Sequence, residues 1–542
     1  MGEILTRRGI LRATAGAAAG LASAALLAAC GGAAATPSTS SASSASPTTS
    51  AVPSSAVTSS ATPSSAVTSG TVTSSAVTSS AATSSAPATS ASSSTTAATS
   101  AAASTQAATA TSSSAPVASA SRAAAAPGEL RYTTQNTSKP FSDLEGKVVQ
   151  EFQMQNPNIK VNYELFPNED LQQKLTVLAA AGTSSDCADI ETKWMPGFYA
   201  NGMLLDLTSY AARAKITADT YFPQEWNKAH IGGKLLIMPL DLQPIVIFYN
   251  KDVFNAHGVP LPPAKWNDPS WTWDELVLRA QKMTTSNGAD KTFGVSWPLD
   301  WRDSLETIWG NGGTVLSADH TKSTITMTET TDGFQYHADL INKYHVHPNA
   351  DEAKSLGDTT TAFINGKIGM WANNVTRAFY IAAKKQDVNY DFAPMPSGKA
   401  GAFTRNPADS VMVASGTKSP DQAFALAAFV TGPTGQSELV AKAGLGVPPL
   451  RAVAESNDFL KPQVPGTEGR NFQMVLDMLE NNHYKYTPVT TIYPKMVSLI
   501  TPVYAQVLEG KISAVQFAQQ VDGPINDLLK QVPDIARGFL GD

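Results

Sequence analysis

Residues 130–190 read LRYTTQNTSKPFSDLEGKVVQEFQMQNPNIKVNYELFPNEDLQQKLTVLAAAGTSSDCADI. Leu130–Thr134 is a short β-type run. Phe141, Leu144, Val148, Val149 and Phe152 then recur at helical spacing. Asn156-Pro157-Asn158 ends that helix. Ile159, Val161, Tyr163 and Leu165 alternate as in a half-buried strand. Leu171, Leu175 and Leu178 mark a second helix, closed by Gly182, and Asp189-Ile190 opens a third strand. The order β-α-β-α-β predicts a mostly parallel sheet covered by helices, an α/β fold.

The alternation continues downstream. Val246–Tyr249, Phe293–Trp297, Ile368–Trp371 and Val411–Ala414 read as strands. Thr272-Trp273-Asp274-Glu275 has capping-box spacing and starts a helix through Leu276, Leu278 and Met283. From Pro420 onward helix signals dominate, over Ala423–Val430, Phe472–Leu479, Tyr493–Leu508 and Ile512–Leu529.

Upstream the composition changes. No Asp, Glu, Lys or Arg occurs between Gly31 and Ser121, a stretch of Ala, Ser and Thr with scattered Pro and Val. Such a segment has too little apolar surface for a core and is expected to be disordered. Three copies of Ser-Ser-Ala-Val-Thr-Ser, at 54–59, 64–69 and 74–79, carry no recurring hydrophobic face and do not predict a solenoid. The first thirty residues have a charged start, an apolar middle and small residues before Cys30, the pattern of a secretory signal. Thr6-Arg7-Arg8-Gly9-Ile10-Leu11 resembles the twin-arginine export motif, and Leu27-Ala28-Ala29-Cys30 the bacterial lipobox, in which the Cys is acylated. The apolar run Ala13–Ala29 is short and Ala/Gly-rich against the roughly 20 residues of a membrane span. The expected organisation is a signal peptide at 1–29, then lipidated Cys30 and a linker to 127. Acyl chains at Cys30 would hold the protein on the outer face of the cell membrane, with a flexible tether of mean reach about 50–60 Å.

The net charge of the chain is −6. The charges before Pro127 are Glu3, Arg7, Arg8, Arg12 and Arg122, so the remaining 416 residues are more acidic, at −9. That balance argues against a nucleic-acid binder working through bulk positive charge. Two Cys in 542 residues exclude a disulfide scaffold. After removal of the N-terminal segment, the length suggests two domains of about 100–200 residues each.

Several fragments, in order, carry a family resemblance. They are Phe152-x-x-x-Asn156-Pro157-x-Ile159-Lys160-Val161, Ala200-Asn201-Gly202-Met203-Leu204-Leu205-Asp206-Leu207 and Tyr249-Asn250-Lys251-Asp252. Trp271-Thr272-Trp273-Asp274-Glu275-Leu276 and Phe363-x-x-Gly366-Lys367-Ile368-Gly369-Met370 follow, then Ser419-Pro420-Asp421-Gln422-Ala423-Phe424 and Gly446-Val447-Pro448. Over residues 128–542 the chain resembles the family 1 extracellular solute-binding proteins, the receptors of sugar-importing ABC transporters. The resemblance implies a two-lobe periplasmic-binding-protein-like fold of type II, hinged by crossing segments and closing on a ligand between the lobes. Placed by motif, lobe one is 128–244 plus 396–452 and lobe two is 245–395 plus 453–542. The implied role is capture of a sugar or oligosaccharide and delivery to a membrane permease by a monomer, without catalysis, cofactor or metal.

A sugar ring presents C–H groups on one face and hydroxyls at its edge, so aromatic planes and hydrogen-bonding side chains are its natural partners. All nine Trp lie after residue 190. Trp226, Trp266, Trp271 and Trp273 sit in turn or cap contexts and are expected to pack structurally. Trp297, Asp300, Trp301 and Arg302 follow a strand, where ligands meet α/β sheets; in the family that loop contributes acidic or aromatic contacts. The resemblance further points to Asp241 and Gln243 before the strand at Ile245, to Glu191, Lys193 and Trp194 after Asp189-Ile190, and to Trp371, with Asn373 or Arg377 as the contact where Trp371 belongs to the core. Gln135 and Asn136 after the first strand, and Arg405 and Asp409 at the cleft rim, complete the candidates.

Competing functions have weaker support. A surface carbohydrate-active enzyme needs two carboxylates at a fixed separation, and Asp300 and Asp303 provide only sequence proximity. No Gly-x-Ser-x-Gly or His-Glu-x-x-His motif occurs. His345, His347 and Asp351 form a weak metal pattern. The composition is also compatible with a receptor for a peptide, polyamine, phosphate ester or metal complex, and with an adhesive surface protein.

Overall fold

The structure is a computed structural model that describes residues 128–135, 141–286, 291–481, 483–488 and 490–532. The signal peptide, Cys30, the linker and Asn136 lie outside the described residues.

The opening alternation forms as expected. β1 (Gly128–Thr134), α1 (Phe141–Gln155), β2 (Ile159–Leu165), α2 (Asn168–Ala180) and β3 (Cys187–Glu191) follow in order. β1 pairs in parallel with β2 along its whole length and with β3 at Tyr132 and Thr133. α1 buries Phe141, Val148, Val149 and Phe152 of the predicted stripe, with Leu144 half-buried beside them.

The later strands are β4 (Ile237–Pro239), β5 (Ile245–Asn250), β6 (Phe293–Ser296), β7 (Ile368–Asn374), β8 (Tyr390–Ala393), β9 (Thr404–Arg405), β10 (Asp409–Val413) and β11 (Tyr484–Lys485). The first sheet has the order β2-β1-β3-β10-β4, and β10 runs antiparallel to both of its neighbours. The second has the order β8-β5-β7-β6, antiparallel except for β7 with β6. The parallel reading therefore holds for the first three strands, whose connections are helical. It does not extend to the returning strands.

In the second sheet every residue of β5 is buried. Val246 and Phe248 face one apolar cluster together with Trp371; Ile245, Ile247 and Tyr249 face another with Met370 and Ala372. A sheet covered on both faces accounts for the unbroken apolar run. α3 (Trp273–Met283) covers one face, with the Thr272 hydroxyl accepting from the Glu275 amide at its N-cap. Helices α4 (Leu305–Gly310) and α5 (Thr328–Asn342) follow, then α6 (Pro420–Val430), α7 (Phe472–Glu480), α8 (Tyr493–Leu508) and α9 (Ala514–Leu529). α5, α8 and α9 pack through Phe334, Tyr504 and Phe517, whose ring centroids lie 5.0–5.5 Å apart.

The chain crosses between the sheets twice in succession, from β4 to β5 and from β8 back to β10. These passages are bonded to each other: Gln243 N donates to Pro407 O (2.8 Å) and Thr404 Oγ1 to Ile245 O (2.6 Å). Leu242 and Val447 exchange both backbone bonds, at 2.9 and 2.7 Å. Gly446 permits that approach, because a Cβ there would lie 2.4 Å from Leu242 O. The result is a two-lobe α/β fold with its crossing segments laid side by side.

Candidate functional site

The crossing segments floor a cavity of about 220 Å³. From the first sheet come Gln135, just past β1, and Glu191 and Lys193, at and beyond the end of β3. Strand ends collect such groups because the backbone leaves the ladder there and side chains turn outward. Lys193 forms an ion pair with Glu191.

On the floor, Gln243 Nε2 donates to Asp241 Oδ2 at 2.9 Å and to Asp409 Oδ2 at 3.1 Å. Asp409 N donates to Asp241 Oδ1 at 2.8 Å. Asp241 is fully buried, and burial pushes its carboxyl up to about 7 against the pull of the Asp409 amide, Gln243 and Lys228. Burial raises Asp409 as well, reinforced by the Asp241 and Asp189 charges.

The opposite wall holds Arg302, Arg405, Tyr486 and Tyr493. Asp300 caps a short 3-10 turn, Trp301–Ser304, by accepting from the Arg302 amide. The same carboxylate takes the Arg302 guanidinium through bonds of 2.6 and 3.0 Å. Burial alone would raise Asp300; the Arg302 bonds outweigh it and hold its pKa below the ordinary value. Arg405 bonds Asp303 and lies 3.6 Å from Glu306. Burial pushes the Glu306 carboxyl up to about 8 and raises Asp303 as well, against the pull of the Arg405 charge on both. Lys228, buried at the cavity edge, is 2.7 Å from Glu225 and lies over the Tyr486 ring at 3.9 Å. Pairing of β9 with β11 brings Tyr486 to the wall, and Asn406 Nδ2 donates to its hydroxyl at 3.3 Å.

Lys193, Lys228, Arg302 and Arg405 thus each have a carboxylate partner. Chemically the cavity offers hydrogen-bond acceptors, compensated ion pairs and phenol rings. Among the described residues no group of His, Cys, Asp and Glu is arranged to hold a metal. His347 is buried with both ring nitrogens bonded to backbone, at Trp297 and Pro348.

Residues 135–437 match the family model for bacterial extracellular solute-binding proteins. The chain belongs to that family. This solute-binding protein is 26% identical over 311 residues to a putative binding protein of Brucella abortus, covering 57% of the chain and 73% of the relative. Its fold is similar to that of an ABC substrate-binding protein of Listeria monocytogenes solved with cycloalternan, with a TM-score of 0.64 at 22% identity over 74% of this chain and 99% of that one. It is equally similar to the sugar-binding protein MalE of Xanthomonas citri, with a TM-score of 0.64 at 18% identity over 74% and 98%. The family is extracellular, and no helix among the described residues is long and apolar enough to cross a membrane.

The structure brings Gln135, Glu191, Lys193, Gln243, Arg302, Arg405 and Asp409 of the sequence candidates together on the solute-binding protein's cavity wall. Asp241 and Asp300 stand directly behind it, bonded to Gln243 and Arg302. The tryptophans do not line it. Trp297, Trp301 and Trp371 are 1%, 1% and 3% exposed and belong to the packed interior. In the turn after Asp300 successive side chains diverge, so Trp301 enters the core with Leu305 and Ile308 while Arg302 faces the cavity. Trp371 lies on a buried face of β7, 5.6 Å from Phe248 and 5.7 Å from Phe363. Trp194 packs against Phe198, at 6.3 Å, and Asn373 is engaged with Arg377 away from the wall. Trp271 and Trp273 pack structurally as expected: Trp271 donates its Nε1–H to Pro394 O and Trp273 stacks on Tyr336 at 4.5 Å.

The sequence reading missed Lys228, Asn406, Tyr486 and Tyr493. Tyr484-x-Tyr486-Thr487-Pro488, an aromatic and Pro-bearing loop between two helices, was the available signal for the tyrosine wall.

Proposed function

We propose that the protein captures an uncharged, hydroxyl-rich solute, a sugar or oligosaccharide, and passes it unaltered to the permease of an ABC importer. The observation that carries this is the pairing of the wall cations. Lys193, Lys228, Arg302 and Arg405 each already face a carboxylate, so an anionic guest would meet no free cation. A neutral guest needs none, and it can cover the phenol rings with its C–H face while its hydroxyls bond the polar rim. The cavity of about 220 Å³ leaves room for a compact sugar unit, well beyond a single water. The similar structures, one solved with cycloalternan and one of a sugar-binding protein, support the same class.

Capture works by rotation of the lobes about the crossing segments. Exclusion of water then makes each unpaired buried polar group cost about 1–3 kcal/mol, which selects among stereoisomers. The export signal and acylated Cys30 hold the receptor, as a monomer, on the outer face of the membrane. The proposed role is binding without chemistry.

A thermal-shift screen of the full-length protein over mono- and oligosaccharides tests the reading, with chromatography of the recovered sugar. Stabilisation with the sugar returned intact supports it; a cleaved product or a flat screen contradicts it. The anchor has a separate test. Cys30→Ala should release the protein from the cell surface into the medium, and retention would refute lipidation.

A further inference from the structure

The Gln243 side chain is held in an unusual way for a residue on a binding wall. Both amide hydrogens of Nε2 have partners, one at Asp241 Oδ2 (2.9 Å) and one at Asp409 Oδ2 (3.1 Å). Burial raises both acids, and whichever of them is ionised can only accept a hydrogen bond, so it holds Nε2 toward itself. A flipped amide would place Oε1 against that carboxylate, a repulsive contact in a buried setting. The carboxylates are anchored in turn: Asp241 Oδ1 accepts from Asp409 N, and Gln243 N is tied to Pro407 O. No hydrogen bond from the described residues reaches Gln243 Oε1, and Gln243 lines the cavity.

We infer that Asp241 and Asp409 are positioning residues that lock the Gln243 amide with its oxygen toward the cavity, so that this point of the site demands a free hydroxyl donor from the guest and disfavours a deoxygenated, fluorinated or O-alkylated one. The inference rests on the sugar reading above and adds a selection rule to it. Asp241 and Gln243 belong to a crossing segment and Asp409 opens β10 beside it, so the polarity is set before the lobes move. Asp241→Asn and Asp409→Asn together remove the constraint, because a side-chain amide can pair with either end of Gln243. The acids are faced by Asp189, Glu191, Glu225, Lys193 and Lys228. Protonation of both acids would also let the amide turn, so the discrimination fades as pH falls through the range where Asp241 gains its proton.

The test uses full-length protein, calorimetry, and D-glucose and maltose with their monodeoxy and monofluoro series as probes. At one hydroxyl the deoxy and fluoro analogues should both bind about tenfold more weakly than the parent sugar, the size of one lost buried hydrogen bond. That penalty should vanish in Gln243→Ala and shrink in the Asp241→Asn/Asp409→Asn variant. Persistence of every penalty in Gln243→Ala removes Gln243 as the reader. An undiminished penalty in the double variant removes the acids as positioning residues.

If neither probe sugar binds, the sugar reading fails for these probes, and the amide lock is decided without ligand by NMR. The two Gln243 side-chain amide protons, assigned by their loss in Gln243→Ala, should exchange slowly with solvent in the wild type and rapidly in the double variant. Rapid exchange in the wild type overturns the lock.

Discussion

At the scale of single residues, Tyr486 and Trp371 make opposite predictions. Tyr486 presents its ring to the cavity between Lys228 and Asn406. Tyr486→Ala should weaken sugar binding roughly three- to tenfold, the worth of a stacking contact, with little change in melting temperature. Trp371→Ala empties a packed site among Phe248 and Phe363 and should cost roughly 3–5 kcal/mol in denaturant unfolding, with affinity per folded molecule retained. The reverse pattern would place the indole, not the phenol, on the guest. Asp241 gives a stability prediction with a definite sign. Burial raises it from 3.8 to about 7, so between those values the folded protein holds a proton that the unfolded chain has released. Its contribution to stability is therefore present at the acid end and lost as pH rises through about 7. Melting temperatures of Asp241→Asn and wild type, compared across that window, should diverge in favour of the variant as pH rises. Comparing the two proteins cancels the opposing titration of His337, whose pKa burial lowers to about 3. A constant difference across the window would contradict the buried acid.

At the scale of elements, legibility followed the range of the determining interactions. The α1 stripe, the Thr272 cap and the bounds of α8 are set within a few residues, and all were readable. The wall between β9 and β11 was not. It depends on two-residue strands some eighty positions apart, Thr404 with Tyr484 and Arg405 with Lys485, which carry no periodicity. Trp301 misled for a local reason: a strand followed by a capped 3-10 turn sends alternate side chains inward, and here the indole went in and the guanidinium out. Polar candidates at strand ends line the cavity, because burying them needs partners that solvent-facing loop ends do not require. One close packing also has a clear test. A Cβ on Gly294 of β6 would lie 2.0 Å from Ala280 O of α3. Gly294→Ala should force the helix off the sheet and lower unfolding free energy by roughly 1–3 kcal/mol; no measurable loss would mean the two elements are less tightly apposed.

At the scale of the whole molecule, two sheets joined by adjacent crossing segments form a hinge with a polar cavity at its floor. Each cation of the wall is compensated by a carboxylate, so recognition of a neutral guest does not compete with anions. Lobe rotation on capture should reduce the radius of gyration in small-angle X-ray scattering when a stabilising sugar is added, and an unchanged profile would argue against closure. The central claim is that this cavity holds an uncharged polyhydroxylated guest without altering it. The most direct measurement is calorimetric titration of the full-length protein with neutral sugars and with charged solutes, at low and high salt, followed by mass analysis of the released guest. The account predicts saturable binding of a neutral sugar, nearly indifferent to salt, with the guest recovered whole. Preference for a charged solute whose affinity falls steeply with salt, or recovery of a cleaved guest, would contradict it.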